Sequence, residues 1–424
     1  MKSLKLSLVA ALAGGSFSLV EAKSLEEAIK DVEIEGSVRY RYDSFYDKSD
    51  SNGNVGDYND VQRHKFKAAL TTGVNIGDGF KIVGTLRYNA STTGEDGSDG
   101  GWASSTDVNQ GADTSKPINL QEAYLQYSNE DFGTTINLGR QRLNTIWTDN
   151  DNLDGSAGMK AQILNNSLVG TTLTAFAVDS VDDDPDFVFA DPENPTQKNN
   201  LFRYNIYGAA AIFDMTEENG VAASLWYAYE PKRINLYAVT VGYTLPLGED
   251  GSWNLQAQYL GNSVHNEIKD SVKGGSLYTV AGTLEIAGFD GTLGYTAYGK
   301  KDALTVNVLE DTGDLITPGE EIQGLEGSSL NGSTGKNQFA FASVGYTING
   351  FRIGADYVYG GTKAATTVEN GSAGKKQEIV GRLEYAHTNN LVFSGFYSNV
   401  THKAKHFDST IKKNNIRFEA RYDF

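Results

Sequence analysis

The sequence predicts an all-β protein, a transmembrane antiparallel β-barrel of about eighteen strands, on three observations. The segment Arg417 to Phe424 alternates strictly. Phe418, Ala420, Tyr422 and Phe424 share one face of a strand, and Arg417, Glu419, Arg421 and Asp423 share the other. A purely apolar face opposite a fully ionic one suits a strand with hydrocarbon on one side and water on the other. Beyond residue 22, no segment has the run of about 18 apolar residues that a membrane helix needs. The mean hydropathy of −0.39 fits this, because alternation halves the apparent hydrophobicity of each strand. Finally, short turns alternate with long polar connections along the whole chain.

The N-terminus reads as a signal peptide. Lys2 and Lys5 precede the uncharged stretch Leu6 to Val20, and Val20-Glu21-Ala22 supplies a cleavage site. Residues 1–22 are therefore set apart, and 23–424 form one barrel domain. Loss of Lys2, Lys5 and Glu21 takes the net charge from −18 to −19. Leu25 to Lys30 reads as a short helical lead-in.

The strands then begin. In the first, Ile34, Gly36, Val38, Tyr40 and Tyr42 oppose Glu35, Ser37, Arg39, Arg41 and Asp43. In the second, Phe66, Ala68, Leu70, Val74 and Ile76 oppose Lys65, Lys67, Thr71 and Asn75. In the third, Phe80, Ile82, Gly84, Leu86 and Tyr88 oppose Lys81, Thr85, Arg87 and Asn89. Short connections fall at 77–79, 128–131, 165–167, 216–220, 248–251, 288–291, 349–350 and 388–390. Long ones fall at 44–61, 90–117, 143–158, 179–199, 262–273, 301–335, 362–374 and 403–410; Pro231 to Arg233 is compact. Tyr40, Tyr42, Tyr127, Tyr243, Tyr357, Tyr359 and Phe424 fall where interfacial aromatic girdles belong.

Composition agrees. There are 47 Gly, 23 Tyr and 19 Phe but 7 Pro, as many strands joined by turns require. With no cysteine there are no disulfides, so stability has to come from closed backbone pairing. In hydrocarbon each unpaired N–H or C=O costs several kcal/mol, and a closed sheet leaves none at an edge. No blade-length repeat supports a propeller. A pI near 4.7 argues against nucleic acid as a partner and is compatible with cations.

Enzymatic chemistry finds no motif. His64, His265, His387, His402 and His406 show no HExxH spacing and no companion GxSxG turn, and there is no phosphate-binding loop. The expected reading is therefore not an enzyme. What the alternation does place in the lumen is a basic array: Arg39, Arg41, Lys65, Lys67 and Arg87, with Arg140 and Arg142 at the end of the fifth strand. Acidic loops face them, and such arrays across a narrow aqueous lumen sort solutes by charge. The sharpest local motif is Trp147 to Gly155, in which Asp and Asn alternate before a Gly. Oxygen-rich Ca²⁺ loops are built this way, and so are Asx-rich turns. It is not an EF-hand, because Ala161 stands where the closing Glu would be. The loop 179–193 adds Asp182, Asp183, Asp184, Asp186, Asp191 and Glu193.

Several segments resemble the major outer-membrane porin family of Campylobacter and its relatives: Val38 to Asp43, Ile146 to Asn150, Phe176 to Ser180, Tyr259 to Ser263 and Gly354 to Lys363. Ser24 to Val32, Leu309 to Ile322 and Leu330 to Asn337 are similar too, so the resemblance spans essentially the whole chain. It implies an eighteen-stranded, homotrimeric general-diffusion porin of the bacterial outer membrane. Lipid and lipopolysaccharide would surround it, and small hydrophilic solutes and cations would pass. It also implies a structural Ca²⁺ at the constriction, held by Asp154, by Glu310 and by one residue of the acidic loop after the seventh strand. Asp184 is the expected third ligand, with Asp182, Asp183 and Asp186 as alternatives. A substrate-specific channel, or a porin whose loops (notably 301–335) also adhere to surfaces, are the other readings.

Overall fold

The computed structural model describes residues 32–51, 54–55, 59–89, 103–107, 119–181, 188–190, 198–200, 205–310, 312–325, 327–364, 373–405 and 409–424. The signal peptide, the helical lead-in, His406 and Asp182 to Asp186 lie outside the described residues.

Among the described residues the main sheet has 20 strands. Eighteen of them run in sequence around one antiparallel ring. They are β1 (Val32–Ser51), β2 (Asn59–Gly77), β3 (Phe80–Asn89), β4 (Asn119–Asn129), β5 (Thr134–Arg142), β6 (Ala157–Leu168) and β7 (Thr171–Val181). β8 (Ile206–Met215), β9 (Val221–Glu230), β10 (Ile234–Pro246), β11 (Gly251–Val264), β12 (Ser276–Ile286) and β13 (Phe289–Thr305) continue it. β14 (Ser333–Ile348), β15 (Phe351–Lys363), β16 (Gly374–Ala386), β17 (Leu391–Ala404) and β18 (Ser409–Asp423) complete it. β18 pairs back onto β1, from Ser37↔Asp423 to Asp50↔Thr410, which closes the sheet. The other two strands, Asn54–Val55 and Ala103–Asp107, lie along β1 and β2 at the long-loop rim.

β1 and β2 outrun the expected loop 44–61, since β1 continues to Ser51 and β2 starts at Asn59. The reason is physical. Past the membrane both faces of a strand meet water, so polar residues no longer mark the end of pairing.

The outer face is the apolar one. Phe418, Tyr422 and Phe424 are exposed, as are Tyr243, Tyr357 and Tyr359. Along the short-turn rim Phe351 stacks on Tyr385 with centroids 4.1 Å apart, and Phe393 bridges onward to Phe418. His64 belongs to this outer face, where its Nδ1 lies 2.6 Å from the Tyr40 hydroxyl. The small residue Gly36 has a local explanation. A Cβ there would sit 2.3 Å from the ring of Phe424, so the last residue of the chain fills the space above it.

The dry core is the unexpected feature. It lies inside the barrel, between two inward-folded loops and the inner wall of β7 to β17. Phe176, Ile234, Leu236, Leu260, Phe339 and Val358 of the wall meet Ile146, Trp147, Leu309, Ile322, Leu325 and Leu330 of the loops. Trp147 is 1 % exposed and meets Trp226 edge to face, with ring centroids 6.2 Å apart.

Candidate functional site

Residues 143–156, between β5 and β6, form the short inward loop. Its Asp/Asn alternation builds consecutive Asx turns. The Asp149 carboxylate accepts the Asp151 N–H at 2.8 Å, and the Asp151 carboxylate accepts the Leu153 N–H at 2.8 Å. Gly155 has φ +37°, and a Cβ there would meet the Asp149 carbonyl at 2.7 Å. This turn directs Asp154 onto the inner wall of β1 and β2.

There the Arg39 guanidinium donates to both Asp154 carboxylate oxygens, at 2.7 and 2.6 Å, and the Lys67 ammonium donates to one of them. Arg39 is 3 % exposed and Lys67 is 1 % exposed. Burial alone would raise the pKa of Asp154, but Lys67 and Arg39 outweigh it and hold the carboxyl well below its usual range. Arg87 donates to the Asp154 carbonyl at 2.9 Å, and Gln121 donates to the carbonyls of Asp154 and Gly155. Asn152 donates to Ser37 at 2.7 Å and accepts from Arg421 at 2.9 Å, which extends the contact to β1 and β18.

Residues 306–332, between β13 and β14, form the long inward loop, which crosses the lumen. Leu309 and Glu310 donate their N–H groups to the Trp147 carbonyl, and Asp314 donates to that of Ile146. In return the Glu310 carboxylate accepts the N–H groups of Asp149 at 3.0 Å and Ser156 at 2.6 Å. Bonds to a charged acceptor contribute about 1.5–3 kcal/mol each. Ile316 donates its N–H to Gln258 on one wall. On the other, the buried Glu378 of β16 accepts the N–H groups of Glu320, Glu321 and Ile322, and the Ser398 hydroxyl at 2.6 Å. Asn415 donates to Glu321 at 2.6 Å, and Arg382 pairs with Glu320. The segment 301–335, named for adhesion in one of the alternative readings, has its described middle inside the barrel. Its apolar residues draw it there.

The basic array is largely where the alternation puts it, but it is charge-paired. Arg41 meets Glu419 at 2.7 Å; Lys65 and Arg417 meet Asp43 at 3.4 and 2.6 Å. Arg140 is a correction. It lies opposite Ala123 and Met159, in the parity of Ile136 and Leu138, so it belongs to the outer face. Its Nε donates to the Leu120 carbonyl at 3.1 Å. Arg142 has the same parity, yet β5 ends at that residue and the side chain swings inward to within 3.5 Å of Glu122.

Across from the charged strands, the inner wall carries hydroxyl and amide pairs toward the short-turn rim, alongside the Asp290–Arg352 ion pair. Ser224 and Thr240 lie 2.7 Å apart, and Thr283 and Thr292 lie 2.9 Å apart. Asn254 donates to Thr244, and Gln162 donates to Thr174. Sequence reasoning missed Glu378, Arg382 and Arg421 as loop anchors. The signal was there for the last, which lies on the ionic face of β18, but nothing local says what it meets.

The residues around Asp154 and Glu310 do not fit a Ca²⁺ cage. Asp154 faces protein cations, and Glu310 faces backbone N–H groups. Among the described residues no three acidic or histidine side chains converge on one point.

A family model, that of the Campylobacter major outer membrane protein, matches residues 1–424. No curated protein sequence matches the chain. Among solved structures, the fold is similar to a BenF-like porin from Pseudomonas fluorescens Pf-5. The TM-score is 0.64 at 11% identity, covering 93% of this chain and 99% of that one. It is also similar to Pseudomonas aeruginosa OpdL, at TM-score 0.60 and 14% identity over 92% of this chain and 99% of that one. A third, Pseudomonas aeruginosa OpdK with vanillate, gives 0.61 and 13% over 92% and 98%. A closed, lipid-facing barrel whose lumen is narrowed by its own loops, matched end to end by that family model, places the chain in the Campylobacter major outer membrane protein family, as a porin of the outer membrane.

Proposed function

We propose that the protein is a passive channel for small hydrophilic solutes and ions, with a preference for cations and no chemical step. The observation that carries this reading is the pair of inward loops tied across the lumen by opposed charges, with a hydroxyl- and amide-lined wall opposite. Because Arg39, Arg41, Lys65 and Lys67 pair with Asp and Glu, long-range selectivity falls to the overall excess of 54 acidic over 36 basic residues. That excess concentrates cations at the mouths.

Reversal potential across a KCl gradient in planar bilayers tests the reading. A potential of the sign set by K⁺ flux is expected. A chloride-selective potential, or insertion with no conductance, overturns it. The hydroxyl- and amide-lined stretch facing the charged strands also supports a second reading, a substrate-specific channel that orients its solute, and saturable, competed uptake would favour it. A homotrimer, which the family resemblance supports, completes the proposal; chemical crosslinking in native membranes tests it.

A further inference from the structure

We infer that this chain supplies, in Arg39 and Lys67, the positive charge that fixes its constriction loop at Asp154, so that the lumen narrows without a divalent cation.

The argument rests on how the oxygens of the Leu153–Gly155 turn are used. A Ca²⁺ ion takes six to eight oxygens, carboxylate and carbonyl alike, at about 2.3–2.6 Å. Both carboxylate oxygens of Asp154 already accept from Arg39, and one accepts from Lys67 as well. The Asp154 carbonyl accepts from Arg87 and Gln121, and the Gly155 carbonyl accepts from Gln121. An ion entering here would displace these donors and face three protein cations, Arg39, Lys67 and Arg87. Those cations sit on β1, β2 and β3, whose register is set by the closed sheet and does not depend on the loop. The other carboxylate expected at such a site is committed too, since Glu310 accepts two backbone N–H groups of the same loop. The two acidic side chains therefore clamp one loop from opposite sides, each against donors that the polypeptide provides. Lys67 is the telling residue. With a mobile ion in its place the lumen would respond to Ca²⁺, whereas a tethered ammonium makes the clamp a fixed property of the fold.

The test uses the full-length protein purified in detergent. Wild type and Lys67→Met are melted in EGTA and in Ca²⁺, and each is reconstituted for single-channel recording. Wild type is expected to melt within about 1 °C of the same midpoint in both conditions. Lys67→Met is expected to melt roughly 4–10 °C lower in both, with higher conductance as the loop loosens. An EGTA-induced fall in the wild-type midpoint overturns the inference, as does a Lys67→Met protein that melts like wild type. Should Lys67→Met fail to fold, the wild-type arm decides, together with calorimetric titration by CaCl₂. Saturable heat at one site per chain overturns the inference, and its absence supports it.

Discussion

The Arg417 guanidinium donates to the Asp43 carboxylate at 2.6 Å, and Asp43 is fully buried. The two residues stand directly opposite in the register of β18 against β1, so the pair spans the seam of the ring. Lys65 of β2 shares the same carboxylate at 3.4 Å. Asp43→Ala removes the buried anion that Arg417 and Lys65 share, a loss of about 3–5 kcal/mol. Refolding yield into detergent and the melting midpoint should both fall clearly; unchanged values would show that the seam does not rely on this carboxylate.

Glu310→Gln keeps the size of the side chain but puts an amide NH₂ where one of two backbone donors points. One bond to the short loop is lost and a donor–donor clash replaces it. The loops should separate intermittently, read as flickering to higher conductance in single-channel traces. Quiet traces of wild-type amplitude would count against a clamping role for this residue.

Inside the barrel, Gly208 lies under Phe176, where a Cβ would come within 2.2 Å of the ring. Gly208→Ala should therefore cost about 1–3 kcal/mol by overpacking. Gly381→Ala, which has nothing within 4 Å of its Cβ position, is the control and should stay close to wild type in the same melt.

The two loops respond to pH with opposite signs. Asp154 has a lowered pKa, so its clamp is complete above its ordinary value of 3.8 and fades only as pH falls well below that. Glu321 in the long loop has a raised one, because burial outweighs the Asn415 hydrogen bond and the nearby Arg417. Its docking is strongest below 4.5 and weakens as pH climbs through the raised value. Conductance should therefore rise as pH climbs above about 4.5, and Glu321→Gln should flatten the rise. A fall over that range would contradict the assignment.

The barrel was legible because period two is a strong local signal. The ionic face of β18 and the basic faces of β1 to β3 could be read residue by residue. Arg140 obeys the same rule: its parity with Ile136 and Leu138 places it outside. The destination of the long loop was harder to see. Its Gly- and Ser-rich stretches read as surface, and its Val308, Leu309, Ile322 and Leu325 are too scattered to show a period. The matching hint lay in β10, where Ile234, Leu236 and Ala238 on one face and Tyr237, Val239 and Val241 on the other are all apolar. A strand apolar on both faces needs a partner inside as well as lipid outside. Which carboxylate would meet which cation could not be read, because pairs such as Arg39–Asp154 and Asp43–Arg417 join residues 115 and 374 positions apart.

Arg421 and Asn152, in contact at 2.9 Å, give the ring-closing strand a second task. The final hairpin both completes the wall and steadies the plug that throttles the passage. A chain halted before β18 would be leaky twice over, unsealed at its side and slack at its throat. Assembly of the pore and calibration of its bore are thus finished by one and the same stretch of polypeptide.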